Sequence, residues 1–243
     1  VQALYPHLAV ERSITLYPGL RPDRSSPASR LPRRDDEFLV YLVEDGSQPM
    51  RLRENAGNAV QILNRLPSAE RGGRRVRLVL QEQRSPQSEG RGEYSGSGRF
   101  AALSCCDVAL APFDRPTLEG AVEIAAALAS GLPVIAPEDG VVRDMLTWDD
   151  RTAGLTAPAN ERGLLNIDRI VSTVLRYLRR PALHAEHASL ARELFAARFH
   201  VDQAAAVCAG AYLHGRDFLI FRRGVKPAAV SPDKKLPSAR ESA

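Results

Sequence analysis

The chain has 243 residues, 44% of them hydrophobic, and a formal net charge of +4 from 33 basic and 29 acidic side chains. That is enough apolar material for a proper core, in one large domain or two small ones, and it excludes a disordered class. No run approaches the roughly 18 apolar residues of a membrane span and the N-terminus has no signal-peptide pattern, so a cytoplasmic protein is expected.

Cys105, Cys106 and Cys208 form neither a disulfide framework nor a metal spacing, and His184 with His187 has no third ligand, so no metal is expected. The mild basicity, nearly all of it from arginine, reads as solvated surface, and no nucleic-acid partner is expected.

Taken in order, Leu4–Val10 and Ile14–Tyr17 are apolar patches, and residues 21–36 are Pro, Ser, Arg and Asp without periodicity, which is linker chemistry. The folded domain begins after it. Phe38–Val43 is a continuous apolar run, as expected of a central parallel strand buried on both faces, and Glu44-Asp45-Gly46 turns the chain. Asn55–Leu66 carries Ala59, Ile62, Leu63 and Leu66 at helical spacing, and Arg75–Leu80 reads as a second strand.

Between Gln81 and Gly98 the chain is polar and rich in Gly and Ser, so the next strand and its helix are expected to be missing. In a doubly wound sheet of order 3-2-1-4-5-6 that strand is the edge, and its loss shortens the sheet without cutting through it. Phe100–Cys106 is the expected helical crossover to the far side of the first strand.

The stretch Cys106–Leu146 reads strand, loop, helix, strand, loop, helix, with strands at Asp107–Ala111 and Pro133–Ala136. Loops at the carboxyl ends of parallel strands converge on one crevice, and the helices that follow direct their unpaired amides into it. A phosphate-bearing ligand is therefore expected at the loops Pro112–Glu119 and Pro137–Gly140. Downstream, Leu155–Pro158 closes the sheet, and Leu164–Leu178, Ala182–Phe199 and Val201–Leu213 read as packing helices. The tail from Arg222 carries Arg223, Lys226, Lys234, Lys235 and Arg240 among Pro, Ser and Ala, a composition that is disordered and compatible with peripheral contact at an anionic membrane.

The run Cys106-Asp107-Val108-Ala109-Leu110-Ala111-Pro112, then Ala129-Ser130-Gly131-Leu132-Pro133-Val134-Ile135-Ala136, then Gly140-Val141-Val142-Arg143-Asp144, resembles the C-terminal, donor-binding half of retaining GT-B glycosyltransferases. Ala153-Gly154-Leu155, Asn160-Glu161 and the helix Ala191–Phe199 continue the resemblance, and Tyr17-Pro18-Gly19-Leu20 sits where that family has its interdomain linker. It implies an α/β fold, a Rossmann-like doubly wound parallel sheet of about five strands flanked by helices. Three parts are expected: 1–36 as the remnant of a first domain with its linker, 37–215 as the nucleotide-sugar-binding domain, and 216–243 as the basic tail.

The resemblance also implies a reaction, transfer of a hexose from a nucleotide-diphosphate sugar to an acceptor, with the nucleotide sugar as donor substrate and no cofactor. Such a transfer needs positive charge on the departing diphosphate and hydrogen-bonding groups on the sugar and ribose. The family's arginine after the first strand is replaced here by Glu44-Asp45-Gly46, and Arg51 and Arg53, just before the helix, stand near its lysine. The family's two glutamates fall on Leu118 and Ala126, with Glu119 and Glu123 close by but out of register.

On that basis Glu119 is the candidate catalytic residue, holding the sugar, and Arg51, Arg53, Glu123, Gly140 and Asp144 are the candidate donor-binding residues. Asp139 is placed to cap the helix that follows it. Because the active crevice of such enzymes lies between two domains, the chain is read as a donor half that acts with a further N-terminal domain or a partner chain. The alternative is a catalytically inactive GT-B-like binding or partner subunit.

Overall fold

The computed structural model describes Leu20 and residues 34–44, 49–80 and 102–209. The chain divides into a unit of residues Tyr17–Ala204 and a second of Val1–Leu16 with Ala205–Ala243; of the second, only 205–209 are among the described residues. The linker over 21–33, the polar interval 81–98 where a strand and its helix are expected to be missing, and the basic tail lie outside them.

The unit is built on a parallel sheet. In chain order the elements are β1 (Glu37–Leu42), α1 (Pro49–Arg65), a 3-10 turn at Ser68–Arg71, β2 (Arg75–Val79), β3 (Val108–Leu110), α2 (Leu118–Ala129), β4 (Val134–Pro137) and α3 (Val141–Leu146). A small hairpin of β5 (Thr147–Trp148) and β6 (Arg151–Thr152) follows, then β7 (Gly154–Ala157), α4 (Ile167–Arg179), α5 (Pro181–Leu194), a π-turn at Phe195–Phe199 and the helix 201–209, α6. The sheet order is β2-β1-β3-β4-β7, every pair parallel. This is the doubly wound order expected, with β2 at an edge among the described residues.

Period-two alternation sorts each strand's side chains to two cores. Leu39, Tyr41 and Val43, with Ala109, Ala111, Val134 and Ala136, face α2, α3 and α5. Phe38, Val40 and Leu42, with Val108, Leu110, Ile135, Leu155 and Ala157, face α1 and α4. All six residues of β1 are buried, as the central strand of a sheet covered on both faces must be.

The Gly131-Leu132-Pro133 run has a geometric cause. Ser130 caps α2, Gly131 takes the left-handed conformation (φ 75°), and two bonds close the end: Gly131 N–H donates to Leu128 O at 2.9 Å and Leu132 N–H to Ala127 O at 3.0 Å. That pair of bonds is a Schellman cap, and Pro133 prevents the helix from resuming. The motif therefore delivers the chain from α2 into β4.

Two expectations are corrected. Helix α1 starts at Pro49, six residues before the apolar periodicity does, so Arg51 and Arg53 lie inside its first turns and not ahead of it. Proline at the first helical position supplies the missing signal, since its fixed φ suits a helix start and its absent N–H is not needed there. Asp139 does not cap α3. The cap position is Gly140, with φ 95° and no side-chain bond to the helix, because the chain must pass Asp114 at a distance only glycine allows.

At the α4–α5 junction Tyr177 is buried, and burial holds its phenol pKa above the ordinary value. It stays protonated and donates to His187 Nδ1 at 2.9 Å. Burial lowers the His187 pKa, with the Arg176 and His184 charges adding to the effect against Glu186. A histidine held neutral in the fold disfavours the folded state once the unfolded chain can take up a proton. Stability from this group is present above the ordinary histidine pKa of about 6.5 and is lost as pH falls below it. Thermal unfolding is therefore expected to shift to lower temperature between about pH 7.5 and 5.5, and His187→Gln, which keeps an acceptor for Tyr177, should flatten that shift.

Candidate functional site

The carboxyl ends of β1, β3, β4 and β7 lie along one rim of the sheet, and α1, α2, α3 and α4 start there. Three side chains on this rim are joined directly. Arg53 donates through Nε to Glu44 Oε1 at 2.6 Å and through its terminal nitrogen to Glu44 Oε2 at 2.7 Å, a two-point ion pair. This bond raises the Arg53 pKa further, so the guanidinium is charged at every working pH. Behind the pair, Glu123 is 1% exposed and its Oε2 accepts the Glu44 N–H at 3.2 Å.

Sequence reading placed Glu123 beside the donor site. The structure puts it beneath the rim, where it holds the backbone of Glu44. Glu44 itself was read only as a turn residue. Its partners are 9 and 79 positions away, and the second separation leaves no trace in local pattern.

A second group forms where the loops after β3, β4 and β7 meet. Asp114 N–H donates to Gly163 O at 2.9 Å, Val142 N–H donates to Asp114 O at 3.2 Å, and Leu165 N–H donates to Pro112 O at 3.0 Å. A Cβ on Gly140 would lie 2.8 Å from both Asp114 Cβ and Asp114 O, and one on Gly163 would press on the Asp114 carboxylate. Both glycines have positive φ, 95° and 71°, so the loops close on Asp114 only because these positions lack side chains. Gly140 thus serves loop packing around Asp114, a residue that sequence reading did not single out.

The remaining candidates are solvent-facing. Glu119 is exposed in the first turn of α2, whose N-cap Thr117 accepts the Gly120 N–H at 3.3 Å. Arg51 is exposed two positions before Arg53. Asp144 is exposed on α3 with Val141, its carbonyl accepting from Arg198 at 3.2 Å. Among the described residues no contact joins Glu119, Arg51 and Asp144 to one another, and no set of three His, Cys, Asp or Glu side chains gathers as a metal site.

The rim is also unusually apolar at its surface. Met50 (81% exposed), Leu118 (76%) and Val141 (49%) each occupy the first turn of a helix that begins there.

No model of a known protein family matches the sequence, and no curated protein is similar to it. Solved structures do share its backbone arrangement. They include a sucrose-phosphate synthase from Thermosynechococcus elongatus (18% identity over 78% of this chain and 46% of that one, TM-score 0.49). WaaG, a glycosyltransferase involved in lipopolysaccharide biosynthesis, is 18% identical over 87% of this chain and 58% of its own, with a TM-score of 0.49. The pneumococcal O-GlcNAc transferase GtfA, solved with UDP and GlcNAc, is 12% identical over 81% and 38%, with a TM-score of 0.48. The chain spans between 38% and 58% of the length of these three proteins. These neighbours are GT-B glycosyltransferases, and at 12–18% identity the likeness is one of fold alone.

Proposed function

We propose that the chain is the donor-binding half of a GT-B-type glycosyltransferase, taking a nucleotide-diphosphate sugar at the carboxyl rim of its sheet and acting with a further domain or a partner chain. The observation that carries this reading is the rim itself. It has the strand order, the converging loops and the helix starts of a nucleotide crevice, with exposed Met50, Leu118 and Val141 around it.

In this reading Arg53 and Arg51 meet the diphosphate, and their positive charge stabilises it as the leaving group departs. Glu119, exposed at the start of α2, accepts hydrogen bonds from sugar hydroxyls. Glu123 acts through Glu44, holding the turn after β1 in place. Gly140 lets the loop after β4 approach the ligand, and Asp144 lies one turn further along α3.

The inactive-partner reading rests on a specific observation: Arg53, the best-placed cation, is already neutralised by Glu44. Calorimetric titration with uridine, guanosine and adenosine diphosphates and their sugars separates the two. The donor-half reading expects saturable binding of one diphosphate, weakened about tenfold by Arg53→Ala, the loss of one charge-assisted contact, and less by Arg51→Ala. Heat-silent titrations with the whole panel, on protein that melts cooperatively, would leave the partner-subunit reading standing.

A further inference from the structure

At the opposite end of the sheet lies a cavity of about 580 Å³ lined by Phe38, Ala69, Gly72, Arg74, Asp107, Tyr177, Leu178, Arg179, Pro181 and His184. Phe38 is the second residue of β1, Arg74 immediately precedes β2, and Asp107 immediately precedes β3. The cavity therefore sits at the amino ends of the strands, a strand's length from the carboxyl rim, or about 20 Å for six residues at 3.3 Å each. Its volume is in the range that takes a small organic ligand.

The floor is apolar and aromatic. Phe38 and Tyr177 are buried at 2% and 1% exposure, and the His184 ring meets both edge to face, at 6.0 Å and 5.5 Å between centroids. His184 is fixed by its Nε2, which donates to the Asp107 carbonyl at 2.6 Å. That bond sets the tautomer, so in the neutral ring Nδ1 is an acceptor, and among the described residues nothing bonds to it.

Two arginines line the cavity. Arg179 spends Nε and one terminal nitrogen on Glu70, at 3.2 Å to the carbonyl and 3.1 Å to the carboxylate, and among the described residues its other terminal nitrogen has no hydrogen-bond partner. Arg74 is less engaged. Its nearest acidic atom is Asp107 Oδ1 at 3.9 Å, outside hydrogen-bond range, and its side chain is 45% exposed. Asp107 is the one acidic side chain in the lining. Its Oδ2 accepts the Leu39 N–H at 2.7 Å and the side chain is 10% exposed, so one carboxylate oxygen is committed to the backbone of β1.

We propose that this cavity is a second binding site, for a small organic acid: a carboxylate or phosphate ester with a flat apolar body. The anionic head takes the fork of Arg74 and the free nitrogen of Arg179, and the body lies on Phe38, Tyr177, Leu178 and Pro181. A guanidinium fork matches two oxygens of such a head, and the apolar floor gives affinity that inorganic phosphate cannot use. Ligands of the transfer reaction belong at the carboxyl ends of the strands, so this site is separate from the donor rim and does not depend on the reading of that rim.

The test is calorimetric titration of the full chain with phenyl phosphate, benzoate and inorganic phosphate. One-to-one saturable binding of phenyl phosphate or benzoate, with inorganic phosphate at least tenfold weaker, is expected. Arg74→Met should weaken the organic acid at least tenfold, and Ala69→Phe, an exposed position on the cavity wall that carries no charge, should block it. Arg53→Ala should leave it unchanged. The proposal is overturned if neither organic acid binds, if inorganic phosphate binds as well as they do, or if Arg74→Met and Ala69→Phe bind like the parent chain.

Discussion

Gly154→Ala is expected to cost about 3 kcal/mol or more of stability, the range in which forced overpacking of a core falls. Gly154 begins β7 and pairs in parallel register with Val134 of β4. A Cβ added there would collide with the Val134 carbonyl oxygen and lie 2.8 Å from both Val134 C and Val134 N. These are backbone atoms inside a ladder, so no side chain can swing aside to relieve the contact. Either β7 separates from β4 or the variant does not reach the native sheet. Chemical denaturation followed by circular dichroism measures the loss, and a midpoint within error of the parent would show that the edge can shift without penalty.

Glu44→Gln is expected to raise affinity for the preferred nucleoside diphosphate about tenfold, the effect of returning one two-point charge-assisted contact to the ligand. In the structure the Glu44 carboxylate engages Arg53 through the same two-oxygen geometry that a phosphate would use. In the donor-half reading a diphosphate must displace it, and like-charge repulsion between the carboxylate and the diphosphate opposes the exchange. The amide of glutamine keeps the shape and removes the charge. Titration of both proteins at two salt concentrations checks the result, because a purely steric effect would not change with ionic strength. Equal affinities would mean that Arg53 does not meet the ligand.

The sheet was legible in the sequence because its strands are buried on both faces and so read as unbroken apolar runs: those expected at Phe38–Val43, Asp107–Ala111 and Pro133–Ala136 lie within one residue, at each end, of β1, β3 and β4. The start of α1 was hidden by the polar run Arg51-Leu52-Arg53-Glu54-Asn55, which has no apolar period, although Pro49 marks it. The hairpin Thr147–Thr152 was missed for another reason. Asp149 and Asp150 both adopt positive φ, 50° and 58°, in a two-residue turn that glycine and asparagine usually announce. The rim was legible as loops but not as a network. That Glu44, Arg53 and Glu123 meet is decided by contacts among α1, α2 and the chain leaving β1, and that Asp114 draws in Gly140 and Gly163 is decided by three separate strand exits.

Leu20 is clasped between the final two helices of the unit, donating to Phe199 O at 2.8 Å and accepting from Val201 N–H at 3.1 Å. Residues near the two limits of the unit are thus stitched side by side while the sheet's connectivity lies wholly between them. Closing so long a span costs little more entropy than closing one half its length, about 0.6 kcal/mol per doubling. An engineer could accordingly weld those limits with a short spacer and open the chain anew at the solvent-facing Asp149–Asp150 tip, leaving every neighbour in the five-stranded ladder as it was.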